Sequence, residues 1–539
     1  MTKLQKKLQT NTVDEPLTPN QETPLVALFA LLVALFFLSY YMRHSMLMLY
    51  GDAVAHLHIA RRILDSLNPG FRQLGSVWLP LPHLLLLPFV MKMSWWQTGL
   101  AGAWPSMICY VLGCAGLYRL ARVWVSPAIA VVAAAAYGSN PGLLYMQTTA
   151  MTEPLFLAEM IWSTLLIVEH GRALKDGEHE RASRLLLWAG LVLVAAVFTR
   201  YDGWIFAAFA WIIVAVGMRQ HLRSRTGGMF VFFTVLLLAA PALWLAYNAK
   251  QFGDPLDFMR GPYSAKAIDA RTSTPGAAHY PGWHSMRVAL LYFLKAAELG
   301  AVPLRLTNLL LWLTIAGTAL ALWTWRQLGM VATLLFWVPV PFYAYSIAYG
   351  SVPIFIPPWW PHSWYNTRYG MEMLPAFALF LAFLVNWCCN WLQKRRPHAG
   401  AWAVAVMLLL IVANGYALMR SQPLVLQEAI ANSRSRIPFE RSLATALLTM
   451  PQQGMILMYT SDHIGALQMA GIPLKRTINE GDYYQWAGAL KNPAKAASVV
   501  VALDGDAVAK AVAANPEGLT LVDVLCSTGQ PCARIYLAK

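Results

Sequence analysis

The densest group of residues able to do chemistry lies in one stretch, YGDAVAHLHIARRILDSLNPGFRQLGSVWLPLPH, running from Tyr50 to His83. Asp52 is the residue of interest, because a positioned carboxylate accepts the proton of an attacking hydroxyl. A helix is expected over 52–66, which would stack Asp52 and His56 one turn apart on one face. Asp52 also has a plainer reading, since an acid at a helix start caps free N–H groups and faces the positive dipole end. The two histidines and Arg61-Arg62 that follow at once, with a Pro-rich, Trp-containing loop, favour chemistry.

Three further clusters carry candidate binding residues: Glu153 in QTTAMTEPLF, Arg200 and Asp202 in FTRYDGW, and Arg368 and Tyr369 in SWYNTRYGMEMLP. Each has a structural alternative. Arg200 and Asp202 also suit an ion pair or snorkelling groups, and Tyr369, Trp359, Trp360 and Trp364 suit an interfacial aromatic belt better than a sugar platform. Asp52, His56 and Glu153 are donor types that hold divalent cations, but no dense ligand motif accompanies them, so no cofactor is required and a divalent cation is the one candidate. There is no GxxxxGK[ST], no GxGxxG after a strand and no GxSxG. An activated substrate is therefore expected to arrive within the membrane and not as a cytoplasmic nucleotide-sugar, and nucleic acid is not an expected partner.

The elements that must position these residues are membrane spans. Of 539 residues, 58% are hydrophobic and 12% charged, about half the charge of a soluble domain. A water-soluble enzyme of this length is excluded, because it could not cover its surface. The net charge of +15 fits short basic cytoplasmic loops. Residues 1–23, with Lys3, Lys6 and Lys7, read as a disordered cytoplasmic tail, and Pro24 to Tyr41 as a retained anchor. Further apolar runs begin near Gly99, Pro127, Pro154, Leu185, Trp204, Met229, Val302, Leu328, Gly370 and Ala401. That makes about eleven spans, each needing roughly 20 apolar residues; Pro82 to Met93 is shorter and reads as re-entrant or interfacial. Connecting segments alternate between a basic set (Arg119/Arg122, Arg172 to Arg184, Arg219 to Arg225, Arg326, Lys394 to Arg396) and a set rich in Trp, Tyr, Pro, His and acids. The second set, which holds every candidate site residue, is expected outside, and an odd span count puts the C-terminus there too.

The expected architecture is an α-helical polytopic membrane protein with a catalytic module over 24–420 and a small α/β extracytoplasmic domain over 421–539. Short β-rich runs at Met455–Tyr459, Ser498–Ala502, Leu519–Leu525 and Arg534–Leu537 alternate with helical stretches there. Cys526 and Cys532 are close enough in an extracytoplasmic turn to favour a disulfide, whereas Cys109, Cys114, Cys388 and Cys389 read as small packing residues in spans.

An acid at the start of the first external loop, here in the GDxxxH context of Gly51 to His56, resembles the GT-C class of membrane glycosyltransferases, and RYGMEMLP resembles a pattern late in several of them. That class includes the polyprenyl- or dolichyl-phosphate-mannose mannosyltransferases, the protein O-mannosyltransferases and the lipid A aminoarabinose transferase. The resemblance in layout runs from Leu25 to Arg420. It implies a catalytic base at Asp52, a second-loop acid at Glu153, and phosphate contacts for Arg200 and Arg368. Ala53 stands where the protein O-mannosyltransferases carry the second acid of an Asp-Glu pair, and Ala55 where the aminoarabinose enzyme carries a basic residue.

The implied reaction moves a sugar from a polyprenyl-phosphate-linked donor to a lipid, glycan or protein acceptor, with inversion, in the manner of a mannosyltransferase. The compact loops point to a bacterial inner membrane, with a eukaryotic endoplasmic reticulum as the alternative of the same topology; the N-terminus is expected to be cytoplasmic and the C-terminal domain periplasmic or otherwise extracytoplasmic. The competing reading is a transporter or flippase of lipid-linked sugars that cleaves no bond; a charge at the midplane or an inverted repeat would favour it, but the charges sit mostly at span ends.

Overall fold

A computed structural model describes residues 18–272, 276, 278–396 and 398–539. Among the described residues, eight helices are long and apolar enough to cross a membrane, from Pro19–Arg43 to the segment Ala399–Ser433, and three shorter apolar helices (Pro80–Val90, Pro127–Gly138, Asp202–Met218) accompany them. The chain is a multi-pass membrane protein with a small C-terminal sheet domain.

The expected tail falls outside the described residues up to residue 17; from there the first helix begins at Pro19, five residues before the apolar run. The cause is local. Pro19 occupies a first-turn position that needs no N–H donor, and the Gln21 side chain accepts the Thr18 N–H at 2.8 Å, one arm of a capping box. Glu22 in that first turn is held by Arg122 at 2.8 Å, with Tyr118 donating at 3.0 Å.

A second difference is the helix Met286–Ala301, which precedes the run expected at Val302. Lys295 and Glu298 interrupt its hydropathy, yet they pair at 2.8 Å as i,i+3 neighbours, so the charges are accommodated inside the bundle. The helix Glu153–Lys175 packs against both Leu100–Ala121 and His179–Thr199. Its first residue, Glu153, is buried at one end of the bundle.

The C-terminal domain is built on five strands, β1 (Ile456–Met458), β2 (Thr477–Ile478), β3 (Val499–Leu503), β4 (Leu519–Leu525) and β5 (Ala533–Ala538). Their order is β2-β1-β3-β5-β4, with β1 parallel to both β2 and β3, and β5 antiparallel to β3 and β4. β3 is buried along its whole length, the expected state of a central strand covered on both faces. β2, two residues long, escapes sequence reading because no alternation can show over two positions. Cys526 and Cys532 are disulfide-bonded across the turn between β4 and β5.

This domain sits on the loop that carries Asp52. Asp65 is paired with Arg61 at 2.8 Å and accepts from the Leu474 and Lys475 N–H groups, each at 3.4 Å. Gln73 donates to the Gly481 carbonyl at 3.0 Å and Gln97 to that of Met469 at 3.3 Å. Arg436, beyond the last span, donates to the carbonyls of Met48 and Leu49 at 3.0 Å each.

Candidate active site

The helix expected over 52–66 is observed over Gly51–Arg62, with Tyr50 at its N-cap. Asp52 is thus inside the first turn and not in the capping position. Its carboxylate accepts from Arg368 Nη2 at 2.6 Å, a charge-assisted bond between residues 316 positions apart.

Arg368 is delivered by a 3-10 turn, Thr367–Met373, that opens the long helix Leu374–Gln393. Glu428, from the short helix Leu424–Ser433, anchors that turn. Its Oε1 accepts the Asn366 N–H at 2.9 Å, and its Oε2 accepts the Thr367 N–H at 2.8 Å and the Thr367 hydroxyl at 2.5 Å. Asn366 takes φ +54° to begin the turn, a conformation asparagine tolerates better than most residues. Gly370 lets the turn lie against the backbone of the Met286–Ala301 helix: a Cβ there would stand 2.5 Å from the Ala297 nitrogen.

Arg200 begins directly after the helix His179–Thr199 and organises a second group. Its Nε donates to Asp202 at 3.1 Å, Nη1 to Thr152 at 2.9 Å and Glu153 at 3.3 Å, and Nη2 to the Tyr343 hydroxyl at 2.7 Å while standing 3.2 Å from Glu372. The Tyr343 oxygen also lies 2.8 Å from Asp202 and 2.6 Å from Glu372. Glu153 joins the two groups, its Oε1 lying 3.3 Å from Arg200 Nη1 and 3.2 Å from Arg368 Nε. The Tyr369 ring stacks on Tyr343 at 5.0 Å, with the guanidinium carbons of Arg368 and Arg200 at 4.9 and 5.1 Å.

A guanidinium has five N–H groups in a fixed fork, and the two arginines spend them differently. Arg200 makes four hydrogen bonds, to Asp202, Thr152, Glu153 and Tyr343, and stands beside Glu372. Arg368 gives Nη2 to Asp52 and Nη1 to Glu428 at 3.4 Å, and its Nε is near Glu153 without hydrogen-bond alignment. Arg368, with two hydrogen bonds against four for Arg200, therefore keeps the greater donor capacity for an anion.

The five carboxylates also differ in access. The Asp52 side chain is 39% exposed, against 0% for Glu153, 4% for Asp202, 1% for Glu372 and 1% for Glu428. Asp52 alone among them can meet a substrate without rearrangement; the rest balance and orient the arginines.

His56 lies one turn beyond Asp52 and is buried. Its Nδ1 is 2.9 Å from His83 Nε2, and Trp78 packs against its ring in a tilted contact with centroids 4.5 Å apart. Burial, then the charges of Arg368 and Arg200, hold its pKa down at about 3, so the ring is neutral at physiological pH. Among the described residues no group of three or more His, Cys, Asp or Glu is arranged to hold a metal ion.

Of the residues singled out from sequence, Asp52, Glu153, Arg200, Asp202, Arg368 and Tyr369 thus form one contact network, with His56 beside it. Tyr343, Glu372 and Glu428 complete it and were not singled out. Glu372 lies in the RYGMEMLP segment, whose spacing after Arg368 was the available signal; Tyr343 is hidden in an apolar run, and Glu428 falls beyond the boundary placed at 420.

Residues 80–245 match the dolichyl-phosphate-mannose-protein mannosyltransferase family model, a range that contains Glu153, Arg200 and Asp202. Over 372 residues the chain is 24% identical to the undecaprenyl phosphate-alpha-4-amino-4-deoxy-L-arabinose arabinosyl transferase 2 of Proteus mirabilis, covering 65% of this chain and 61% of that protein, less than two thirds of the relative's length. The structure of ArnT from Cupriavidus metallidurans bound to undecaprenyl phosphate is similar with a TM-score of 0.55 at 13% identity, over 95% of this chain and 97% of that one. The apo oligosaccharyltransferase of Archaeoglobus fulgidus is similar with a TM-score of 0.50 at 13% identity, over 89% and 69%. The fold is that of the GT-C membrane glycosyltransferases.

Proposed function

We propose that the chain is a glycosyltransferase that moves a sugar from a polyprenyl-phosphate-linked donor to a lipid, glycan or protein acceptor at the extracytoplasmic face of a bacterial inner membrane. In this reading the N-terminus is cytoplasmic, and the C-terminal domain covers the site from outside. The observation that carries the reading is the combination at Asp52: the one accessible carboxylate of five, oriented at 2.6 Å by an arginine that retains donors for an anion. The family match and the arabinosyl transferase relative support the polyprenyl phosphate donor.

The chemistry follows from that pairing. Asp52 takes the proton of the acceptor hydroxyl, whose oxygen attacks the anomeric carbon as the bond to the phosphate oxygen breaks. Polyprenyl phosphate leaves as a stable anion and needs no proton, so one carboxylate suffices where a glycosidase employs two. The remaining N–H groups of Arg368 meet the charge that develops on the departing phosphate, through contacts fixed before reaction. Direct attack from the opposite side inverts the anomeric centre. The membrane holds the donor by its lipid, which lowers the cost of bringing the reactants together. Glu153, Arg200 and Asp202 hold the frame, and Tyr369 forms a wall beside Arg368.

The test is Asp52→Asn in proteoliposomes supplied with polyprenyl-phosphate-linked sugar. Release of polyprenyl phosphate is expected to fall about 100-fold or more, the usual worth of a general base, while insertion and the unfolding midpoint stay at wild-type values. Turnover close to wild type removes Asp52 from the mechanism, and donor movement across the bilayer without bond cleavage indicates a flippase.

A further inference from the structure

We propose that His83 fixes the tautomer of His56, so that His56 presents a bare Nε2 beside Asp52 and accepts a hydrogen bond from a substrate hydroxyl. The hydroxyl rests on the glycosyl-transfer reading; the tautomer does not.

The argument starts from a carbonyl. His83 Nδ1 lies 3.1 Å from the Leu79 oxygen, which has lone pairs and no proton, so the hydrogen must sit on His83 Nδ1. A neutral His83 then has an unprotonated Nε2. That atom is 2.9 Å from His56 Nδ1, so His56 must supply the proton and carry it on Nδ1. One proton remains on each ring, and His56 Nε2 is left as an acceptor. A doubly protonated His56 is disfavoured by burial and by the two guanidinium charges nearby. Trp78 packs tilted against His56 at 4.5 Å and is stacked with His83 at 6.3 Å, which keeps both rings from turning over.

Position does the rest. His56 follows Asp52 by four residues on one helix, so the two side chains share a face about 5–6 Å apart at Cβ. An imidazole nitrogen without hydrogen offers no proton and accepts one hydrogen bond from an O–H or N–H donor. Its partner is a hydroxyl of the transferred sugar or of the acceptor, next to the one that Asp52 deprotonates. His83 is a positioning residue: it acts on substrate only through His56.

The experiment uses the full chain, labelled with nitrogen-15 histidine, in lipid nanodiscs, with the His56 signals assigned by their loss in His56→Asn. The wild type should show His56 protonated at Nδ1 and bare at Nε2. His83→Gln places an amide oxygen near the former Nε2 and should keep that pattern, whereas His83→Leu should shift His56 toward the Nε2-protonated form. A wild-type His56 protonated at Nε2, or no change in His83→Leu, overturns the tautomer. In transfer assays with polyprenyl-phosphate-linked sugar, His83→Leu should lose about tenfold in kcat/KM, the worth of one hydrogen bond, and His83→Gln should recover most of it. Equal rates in wild type and His83→Leu overturn the substrate contact. Donor hydrolysis without acceptor identifies the source: a matching loss assigns the hydroxyl to the donor sugar, and unchanged hydrolysis assigns it to the acceptor. A wild type that consumes no donor defeats the glycosyl-transfer reading and leaves the spectroscopic result standing.

Discussion

Two arginines in one network have different duties, and substitution should separate them. Arg200 compensates three buried acids, and breaking such a pair costs about 3–5 kcal/mol because charges are left stranded. Arg200→Ala is therefore expected to reduce the yield of folded protein in detergent. Arg368→Ala should fold, since Asp52 faces water while Glu153 keeps Arg200 and Glu428 keeps its bonds to Asn366 and Thr367, but should raise donor KM or lower kcat by about tenfold or more, as expected for the loss of a charge-assisted bond. Arg395→Ala, on a basic connecting segment, should leave kinetics unchanged. Equal kinetic effects of the Arg368 and Arg395 changes would argue against a phosphate contact. At this scale the sequence was readable wherever a polar residue interrupts an apolar run at its end, as Glu153, Arg200 and Asp202 do. Tyr343 offered no such contrast, because a tyrosine inside PVPFYAYSIAY looks like any other aromatic packing residue.

The 3-10 turn Thr367–Met373 depends on close approach as much as on hydrogen bonds. Gly370→Ala would press a methyl against the Ala296-Ala297 backbone, and overpacking of that kind costs about 1–3 kcal/mol. Because Glu428 pins the turn's start, the displacement should move Arg368 relative to Asp52. The expected result is a fall in kcat at near-normal expression; kcat equal to wild type would show that the turn adapts. Periodicity and hydropathy located the long apolar helices and four of five strands because those carry repeated signals. They gave no sign of Met286–Ala301 as a packed helix, since Lys295 and Glu298 neutralise each other only once the backbone is helical. The helix expected to reach Ser66 stops at Arg62, where Asp65 turns away to bond the outer domain. That is a tertiary contact, invisible to local propensity.

Across the whole molecule, the C-terminal domain meets the membrane body partly through Arg436, which donates to the Met48 and Leu49 carbonyls and pairs at 2.6 Å with Glu440 on its own helix. Burial, against the pull of Arg436, pushes the Glu440 carboxyl from its ordinary 4.5 up to about 7. The folded protein thus holds a proton that the unfolded chain has released over that interval, so Glu440 supports folding at low pH and the support is lost as pH rises through about 7. The slope is on the order of 1 kcal/mol per pH unit. Glu440→Gln should flatten the decline in unfolding midpoint between pH 5 and 8 measured across that range; an unchanged slope would assign the decline to other groups. Charge patterning made the gathering of the site-bearing loops at one end of the bundle readable from sequence, but the seating of the C-terminal domain on the 51–81 loop was not, because it rests on single polar contacts far apart in the chain. One such contact also sets a timetable. Asp52 is translated 316 residues ahead of its arginine, and Glu428 trails Arg368 by 60 more. At about 5–20 residues per second, roughly 20–75 s of synthesis separate the first of these groups from the last. Throughout that delay the nascent chain can anchor and thread the bilayer yet has no assembled centre, so a ribosome stalled before the final span leaves an inserted but inert product.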